Sequence, residues 1–149
     1  MNASFSAALL AALSLALPAV GHAADPAPAA AAPAPARTVA VAEVSVNALR
    51  DRQAGKDATL YVLDVRSAEE YAAGHVPGAV NVPHDQVAAR IAELPKDREI
   101  VLYCRSGRRA GLAAEVLAAN GFKSLAHLTG DMPAWEASGN PVEKASKAQ

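Results

Sequence analysis

The sequence predicts an α/β domain of three layers, in which helices flank a mostly parallel five-stranded sheet. Two runs rich in β-forming residues, 59–65 (TLYVLDV) and 99–104 (EIVLYC), are largely apolar and do not alternate strictly. Such runs are typical of strands that are buried on both faces of a parallel sheet. Weaker strand candidates lie at 38–45, 79–83 and 124–129. Helix signals separate these strands, and this alternation favours helices packed on both faces of the sheet.

Two helices are predicted between the first strong strand and the second. Ser67 and Glu70 have the spacing of a capping box, so a short helix is expected to begin there. An apolar stripe with helical spacing runs over 87–94 and stops at Pro95, which predicts another helix.

Two more helices are predicted after the second strong strand. Apolar residues over 113–120 follow the helical period, and Gly121 suits the left-handed position that ends a helix. Asp131 is expected to cap the last helix, with Pro133 in its first turn and Trp135 on its buried face.

Composition and charge restrict the classes of ligand. The chain has 149 residues, of which 52% are hydrophobic and 19% charged, and its formal net charge is −1. A nucleic-acid-binding surface would need a basic excess that this chain lacks. One cysteine excludes both an intramolecular disulfide and a cysteine-cluster metal site. No two histidines share helical ligand spacing, so neither a metal nor a cofactor is predicted; the histidines are His22, His75, His84 and His127.

The first 37 residues read as a targeting segment followed by a linker. Residues 1–23 hold an uncharged apolar run that is short for a membrane span and ends in small residues, the pattern of a secretory signal peptide cut after Ala23. We therefore expect an exported, periplasmic protein that meets a membrane only through an uncleaved signal. The segment lacks Lys and Arg before its apolar run, which leaves an anchor or a buried helix as alternatives.

Residues 24–37 are rich in alanine and proline, a composition that favours an extended, semi-rigid linker. A disordered tail without a task is the alternative. The folded domain is predicted over 38–143, followed by a polar tail at 144–149.

Cys104 is the candidate catalytic residue. It follows a buried strand, and three arginines come within the next five residues. The dipole of a following helix and nearby guanidinium groups favour the thiolate form of a cysteine, which is the nucleophilic form. The alternative is a cysteine that only packs in the core, beside arginines that face solvent.

The loop after Cys104 is predicted to bind an anion. Gly107 permits a tight turn, and the loop amides lead into the free N–H groups of a helix that starts near Arg108. Amides that converge in this way bind anions. On a near-neutral protein, this local charge indicates a small anionic substrate. The predicted substrate-binding residues are Arg105, Ser106, Gly107, Arg108 and Arg109.

Three segments resemble the rhodanese family. Residues 63–85 resemble its first signature, 101–122 its active-site segment, and 128–142 its closing motif with Trp135 and Pro141. The likeness extends over 39–143 and implies a single-domain, rhodanese-like sulfurtransferase.

The resemblance implies a persulfide mechanism. Cys104 would take the outer sulfur of a small anionic donor such as thiosulfate and pass it to cyanide, a thiol or a protein acceptor. Arg105, directly after the cysteine, resembles the arrangement in family members that use thiosulfate.

Four residues of the first signature are expected to support the site and not to react. Arg66 and Glu70, four apart, could pair with each other, and Asp64 at a strand end could hydrogen-bond loop amides. His75 is expected to be a turn residue, because an ionised thiol needs no base.

Three alternatives remain at this point. A cysteine phosphatase or arsenate-reducing enzyme needs an arginine six positions after its cysteine, where this chain has Ala110. A non-turnover sulfur carrier would use the same loop. An adaptor domain would not need Cys104 at all.

Overall fold

Five parallel strands form one sheet, which confirms the predicted fold class. The computed structural model describes residues 40–145, so the predicted signal peptide and linker lie outside the described residues. The strand order is β1-β5-β4-β2-β3, and every neighbouring pair is parallel. The strands are β1 (Ala42–Val44), β2 (Leu60–Asp64), β3 (Val80–Asn81), β4 (Glu99–Tyr103) and β5 (Leu125–Leu128).

Strand β4 lies at the centre of the sheet, and its register with β2 brings the carboxyl ends of the two strands level with each other. The pairing runs from Leu60 opposite Glu99 to Asp64 opposite Tyr103. Because all strands point the same way, their carboxyl ends meet at one edge, where ligands bind in open α/β sheets.

The structure confirms some of the predicted helix features and contradicts others. The capping box of Ser67 and Glu70 is present at the start of α2, and Gly121 is left-handed just past α3, with φ 86°. Both features are therefore confirmed. The helices are α1 (Val46–Ala54), α2 (Ala68–Ala73), α3 (Arg108–Ala119) and α4 (Asp131–Ala137).

Helix α1 was not predicted. Its signals were a serine cap and a sparse apolar spacing: the Ser45 hydroxyl accepts the amide of Ala48, and Val46 and Leu49 are buried. The rest of the helix is largely polar, so the sequence held no apolar stripe long enough to indicate a helix after the predicted strand.

The helix predicted over 87–94 is wrong. The chain makes successive turns there and a single 3₁₀ turn at Ile91–Glu93. Val87 and Leu94 are buried as a helical stripe would require. Consecutive turns thus bury these two side chains without a continuous helix.

Two apolar layers cover the sheet. One contains α3 and the 87–94 segment, and the other contains α1 and α4, so the strands are buried on both faces as their apolar runs predicted. Within residues 40–145, no helix is both long and apolar enough to cross a membrane.

Candidate active site

Cys104 stands at the carboxyl end of the central strand. Strand β4 ends at Tyr103, and α3 begins at Arg108, four residues after the cysteine. Between them Gly107 takes φ 81°, a left-handed conformation that glycine adopts without steric cost. The loop therefore turns sharply from strand to helix, and free amides at the start of α3 follow directly behind the cysteine.

Cys104 is fully buried, and its backbone is fixed from both sides by the start of α4. Its relative exposure is 0%, and it belongs to the core cluster under α3. Its amide donates to Asp131 Oδ1 at 2.7 Å, and its carbonyl accepts the amide of Met132 at 3.2 Å. The next two residues of the loop, Arg105 and Ser106, are exposed.

The three arginines of the loop do not act as one group. Arg109 is paired with Glu70 through two hydrogen bonds of 2.6 and 3.0 Å. Arg105 and Arg108 are exposed and take part in none of the ion pairs among residues 40–145. The positive charge available to a ligand in solvent therefore comes first from Arg105 and Arg108.

The Glu70–Arg109 pair shifts the pKa of both partners. The hydrogen bond from Arg109 lowers the pKa of Glu70 to about 2, and the same bond raises the pKa of Arg109. Glu70 also accepts the Ser67 amide at the start of α2, so the pair joins α2 to the first turn of α3. The sequence indicated a pair between Arg66 and Glu70, which the structure does not form.

Arg66 pairs with Asp64 instead, in the buried loop after β2. The guanidinium Nη2 lies 2.6 Å from Asp64 Oδ2 and donates to the carbonyl of Gly74 at 2.7 Å. Burial opposes the charged form of Arg66, but its hydrogen bonds and charge contact with Asp64 prevail and raise its pKa. The pair forms because i, i+2 spacing across a strand end places the two groups together, whereas α2 carries Glu70 away.

Tyr103 completes this buried network and was missed by the sequence reasoning. Its hydroxyl donates to Asp64 Oδ2 at 2.6 Å and accepts the amide of Val76 at 3.1 Å. Burial, followed by the Asp64 charge, raises the pKa of Tyr103 well above its usual range. The available signal was a hydroxyl-bearing residue at the end of an otherwise apolar strand.

His75 is a structural residue of the α2–β3 connection. It is buried, its ring stacks on Tyr71 with centroids 3.6 Å apart, and its Nδ1 lies 2.8 Å from the Tyr71 carbonyl oxygen. Its backbone pairs with Glu143 in an isolated bridge. These contacts involve the far end of the chain and not the Cys104 loop.

Asp131 and His127 lie against the Cys104 loop, and the sequence did not place either of them in the site. His127 Nε2 is 3.2 Å from Asp131 Oδ1, and a Cβ at Gly107 would lie 3.4 Å from His127 Cε1. The expected helix cap by Asp131 is wrong, since Gly130 holds the cap position and the carboxylate turns to Cys104 instead. The available signal was two polar residues that flank the end of β5, next to β4.

Metal ligands are not assembled in this part of the chain. Among residues 40–145, no group of three or more His, Cys, Asp or Glu side chains is placed to hold a metal ion. The groups that the described site offers for chemistry are therefore a thiol, loop amides and guanidinium groups.

A parallel α/β domain with a cysteine at the turn from its central strand into a helix is the arrangement that the rhodanese resemblance implied. The model of the rhodanese-like domain family matches residues 45–138. The chain therefore belongs to the rhodanese-like domain family.

The relatives include proteins named for sulfur transfer. A sulfurtransferase of Allochromatium vinosum is 36% identical over 102 residues, which are 68% of this chain and 94% of that protein. The candidate sulfur carrier YrkF of Bacillus subtilis is 37% identical over 95 residues, 64% of this chain but 51% of its own length. This chain therefore spans about half of that relative.

A solved structure shows the same fold. The rhodanese-like domain protein of Staphylococcus aureus superposes with a TM-score of 0.62 at 26% identity, covering 71% of this chain and 100% of that one. The fold and the family thus agree.

Proposed function

We propose that this protein is a sulfurtransferase that carries a sulfane sulfur on Cys104. The observation that supports this most directly is the place of Cys104, the single cysteine of the chain, at the carboxyl end of β4 and the start of the loop into α3. Relatives named as sulfurtransferases support the same reaction class.

The proposed reaction has two balanced steps. The Cys104 thiolate attacks the outer sulfur of thiosulfate, a new sulfur–sulfur bond forms, and sulfite leaves with the electron pair of the broken bond. The resulting persulfide anion then gives its outer sulfur to cyanide or a thiolate, and the Cys104 thiolate returns. Loop amides and the dipole at the start of α3 stabilise the anionic sulfur species.

The donor is proposed to be small and anionic. The buried sulfur admits only a small reacting group through the loop, and the exposed guanidinium groups of Arg105 and Arg108 attract negative charge. A thiosulfate sulfurtransferase of Escherichia coli, PspE, is 37% identical over 70 residues, 46% of this chain and 67% of its own length, which supports this donor class. The acceptor is proposed to be cyanide, a thiol or a protein thiolate, since each is a nucleophile that can take the outer sulfur. The net charge of −1 gives no reason to expect nucleic acid as a partner.

A sulfur carrier without turnover is the second candidate. The full burial of Cys104 would shield a bound persulfide from solvent, and the relative YrkF is named as a candidate carrier. The phosphatase alternative loses support, because Ala110 is 1% exposed inside the core and Arg109 is held by Glu70.

Intact-protein mass spectrometry tests the proposal. Reduced protein incubated with thiosulfate is expected to gain the mass of one sulfur atom, and cyanide is expected to remove it with release of thiocyanate. Cys104→Ser is the control and should gain nothing. Cyanide lability separates a persulfide from oxidation of the thiol, and repeated cycles with cyanide separate an enzyme from a carrier. Loading on Cys104→Ser, or none on wild type with any sulfane donor, would contradict the proposal.

We also propose export to the periplasm, on the pattern of residues 1–23. The same mass measurement on protein from the native host tests this, since a chain that begins after Ala23 would lack the segment. Full-length protein in the cytoplasmic fraction would contradict it.

A further inference from the structure

Asp131 is a buried carboxylate whose backbone lies in the left-handed region, which residues other than glycine seldom occupy. It is 3% exposed and has φ 56°. Among residues 40–145, Lys56 with φ 52° is the other non-glycine residue with positive φ. Left-handed backbone persists at a non-glycine residue where surrounding contacts impose it, and such strain is concentrated at functional sites.

The contacts that hold Asp131 lead to the backbone of Cys104. Asp131 Oδ1 accepts the Cys104 amide at 2.7 Å, and the next residue, Met132, donates its amide to the Cys104 carbonyl at 3.2 Å. Both peptide groups of Cys104 are thus fixed by the first two residues of α4. The orientation of the peptide before a sharp turn decides where the following loop amides point.

A chain of polar contacts from the sheet edge holds the carboxylate in place. His127 on β5 reaches Asp131 Oδ1 with Nε2 at 3.2 Å and Glu43 on β1 with Nδ1 at 3.4 Å. Glu43 in turn accepts the Thr129 hydroxyl at 2.8 Å. The Asp131 carboxylate can therefore rotate away from the Cys104 amide only by breaking its contact with His127 as well.

We propose that Asp131 is a positioning residue, which accepts the Cys104 amide and so fixes the loop in the geometry that sulfur transfer requires. The consequence for transfer rests on the proposed function, whereas the effect on the loop does not. What matters is the hydrogen-bond acceptor at this position, which lies 2.7 Å from the Cys104 amide nitrogen.

Three variants test this. Asp131→Gly removes the acceptor and allows the positive φ without steric cost. Asp131→Asn keeps an acceptor and, like aspartate, tolerates a positive φ. Lys56→Gly is the control, because it replaces the other non-glycine residue of positive φ among residues 40–145, which lies before β2 at the amino ends of the strands. The readouts are amide hydrogen exchange at Cys104 followed by NMR, thermal unfolding, and the rates of thiosulfate loading and iodoacetamide alkylation.

For Asp131→Gly we expect faster amide exchange at Cys104 and loading slower by about tenfold, at an unfolding midpoint close to that of wild type. Alkylation should be at least as fast as in wild type, because the loop over the buried thiol is looser. Asp131→Asn should keep slow exchange and load within about threefold of wild type, and Lys56→Gly should match wild type in every reaction at the thiol.

Unchanged exchange at Cys104 in Asp131→Gly would overturn the inference, as would wild-type loading by that variant. An Asp131→Asn variant as slow as Asp131→Gly would also overturn it, since the acceptor would not be the feature that matters. If wild type takes no sulfur from any donor, the proposed function fails, but the exchange comparison still decides the role of Asp131 in the loop.

Discussion

Cys104 is the most buried of the residues that the proposed reaction needs, and its neighbours Arg105 and Ser106 are exposed. A donor therefore meets the charged outer side of the loop before it meets the sulfur. A charge at that outer side acts on the encounter with an anion, and it acts less on the thiol itself because the peptide turn lies between them.

Charge at Arg105 is expected to raise the rate with an anionic donor. Arg105→Gln should lower the kcat/KM for thiosulfate by up to about thirtyfold, because a unit charge about 4 Å away in water contributes about 1 kcal/mol for each of the two charges on this donor. Steady-state kinetics at several salt concentrations measure this, and the salt dependence should weaken in the variant.

Arg98→Gln is the matched control for that prediction. Arg98 and Arg105 are both exposed and flank the same strand, β4, at its opposite ends, ~20 Å apart. Arg98→Gln should leave kcat/KM unchanged. An equal loss in both variants would mean that overall charge matters and the loop does not.

At the scale of elements, the site depends on how α2, α3 and the sheet are joined. The Glu70–Arg109 pair connects α2 to α3, with 30% and 28% of the two side chains exposed. The Asp64–Arg66 pair and Tyr103 connect the ends of β2 and β4. Residues of the rhodanese-like first signature therefore join the elements around the loop after β4, which carries the reactive groups of the proposed function.

The Glu70–Arg109 pair is expected to make stability fall in acid. The pKa of Glu70 is lowered to about 2 from the ordinary value of 4.5, chiefly by the hydrogen bond from Arg109. A lowered folded-state pKa adds stability that is fully present above the unfolded value and is lost as pH falls through the folded one. The window is therefore from about pH 4.5 down to about 2.

Glu70→Gln should remove this part of the pH dependence. At pH 7 we expect the variant to be less stable by about 1–2 kcal/mol, a value reduced for partial solvent screening, and the difference should shrink below pH 4.5. Denaturant unfolding across this range measures it. Glu93→Gln, which breaks the exposed pair with Arg90, is the control and should leave the stability close to that of wild type at every pH. A pH-independent loss in Glu70→Gln would contradict this prediction, because glutamine can keep the capping contact with the Ser67 amide and only the charge of the pair is removed.

At the scale of the whole molecule, the end of the described chain packs back on the α2–β3 connection. The Trp135 indole donates to the Pro141 carbonyl at 2.8 Å, and Glu143 pairs with the backbone of His75. Gly74 lies beneath this segment, where a Cβ would come within 2.8 Å of Val142 Cγ1. The close approach explains a glycine at an extended position where φ alone does not require one.

Gly74→Ala is expected to destabilise the fold by about 1–2 kcal/mol through this overlap. Val142→Ala removes the opposing methyl groups, so the double variant should recover most of the loss. A double-mutant cycle from thermal or denaturant unfolding measures the coupling. Additive effects of the two substitutions would show that the segment does not pack on Gly74 as described.

The sequence predicted the two main strands, their parallel arrangement and the turn at Gly107, because these features follow from local patterns of apolar residues and glycine. It missed α1, whose nine residues carry few apolar positions, and it wrongly predicted a helix over 87–94. It also assigned Asp131 to a helix cap, since a cap is the commonest local use of an aspartate at a helix start.

The sequence by itself therefore determined the three-layer α/β class of the fold, the presence of a single thiol, and the positively charged loop that follows it. The tertiary structure alone decided two of the site's pairings: Arg109 with Glu70, and the Asp131 carboxylate with the Cys104 amide. The reason is physical, because local pattern fixes burial and backbone conformation within a few residues. Partners that are 27 or 39 residues apart meet only when parallel strands bring their carboxyl ends to one edge.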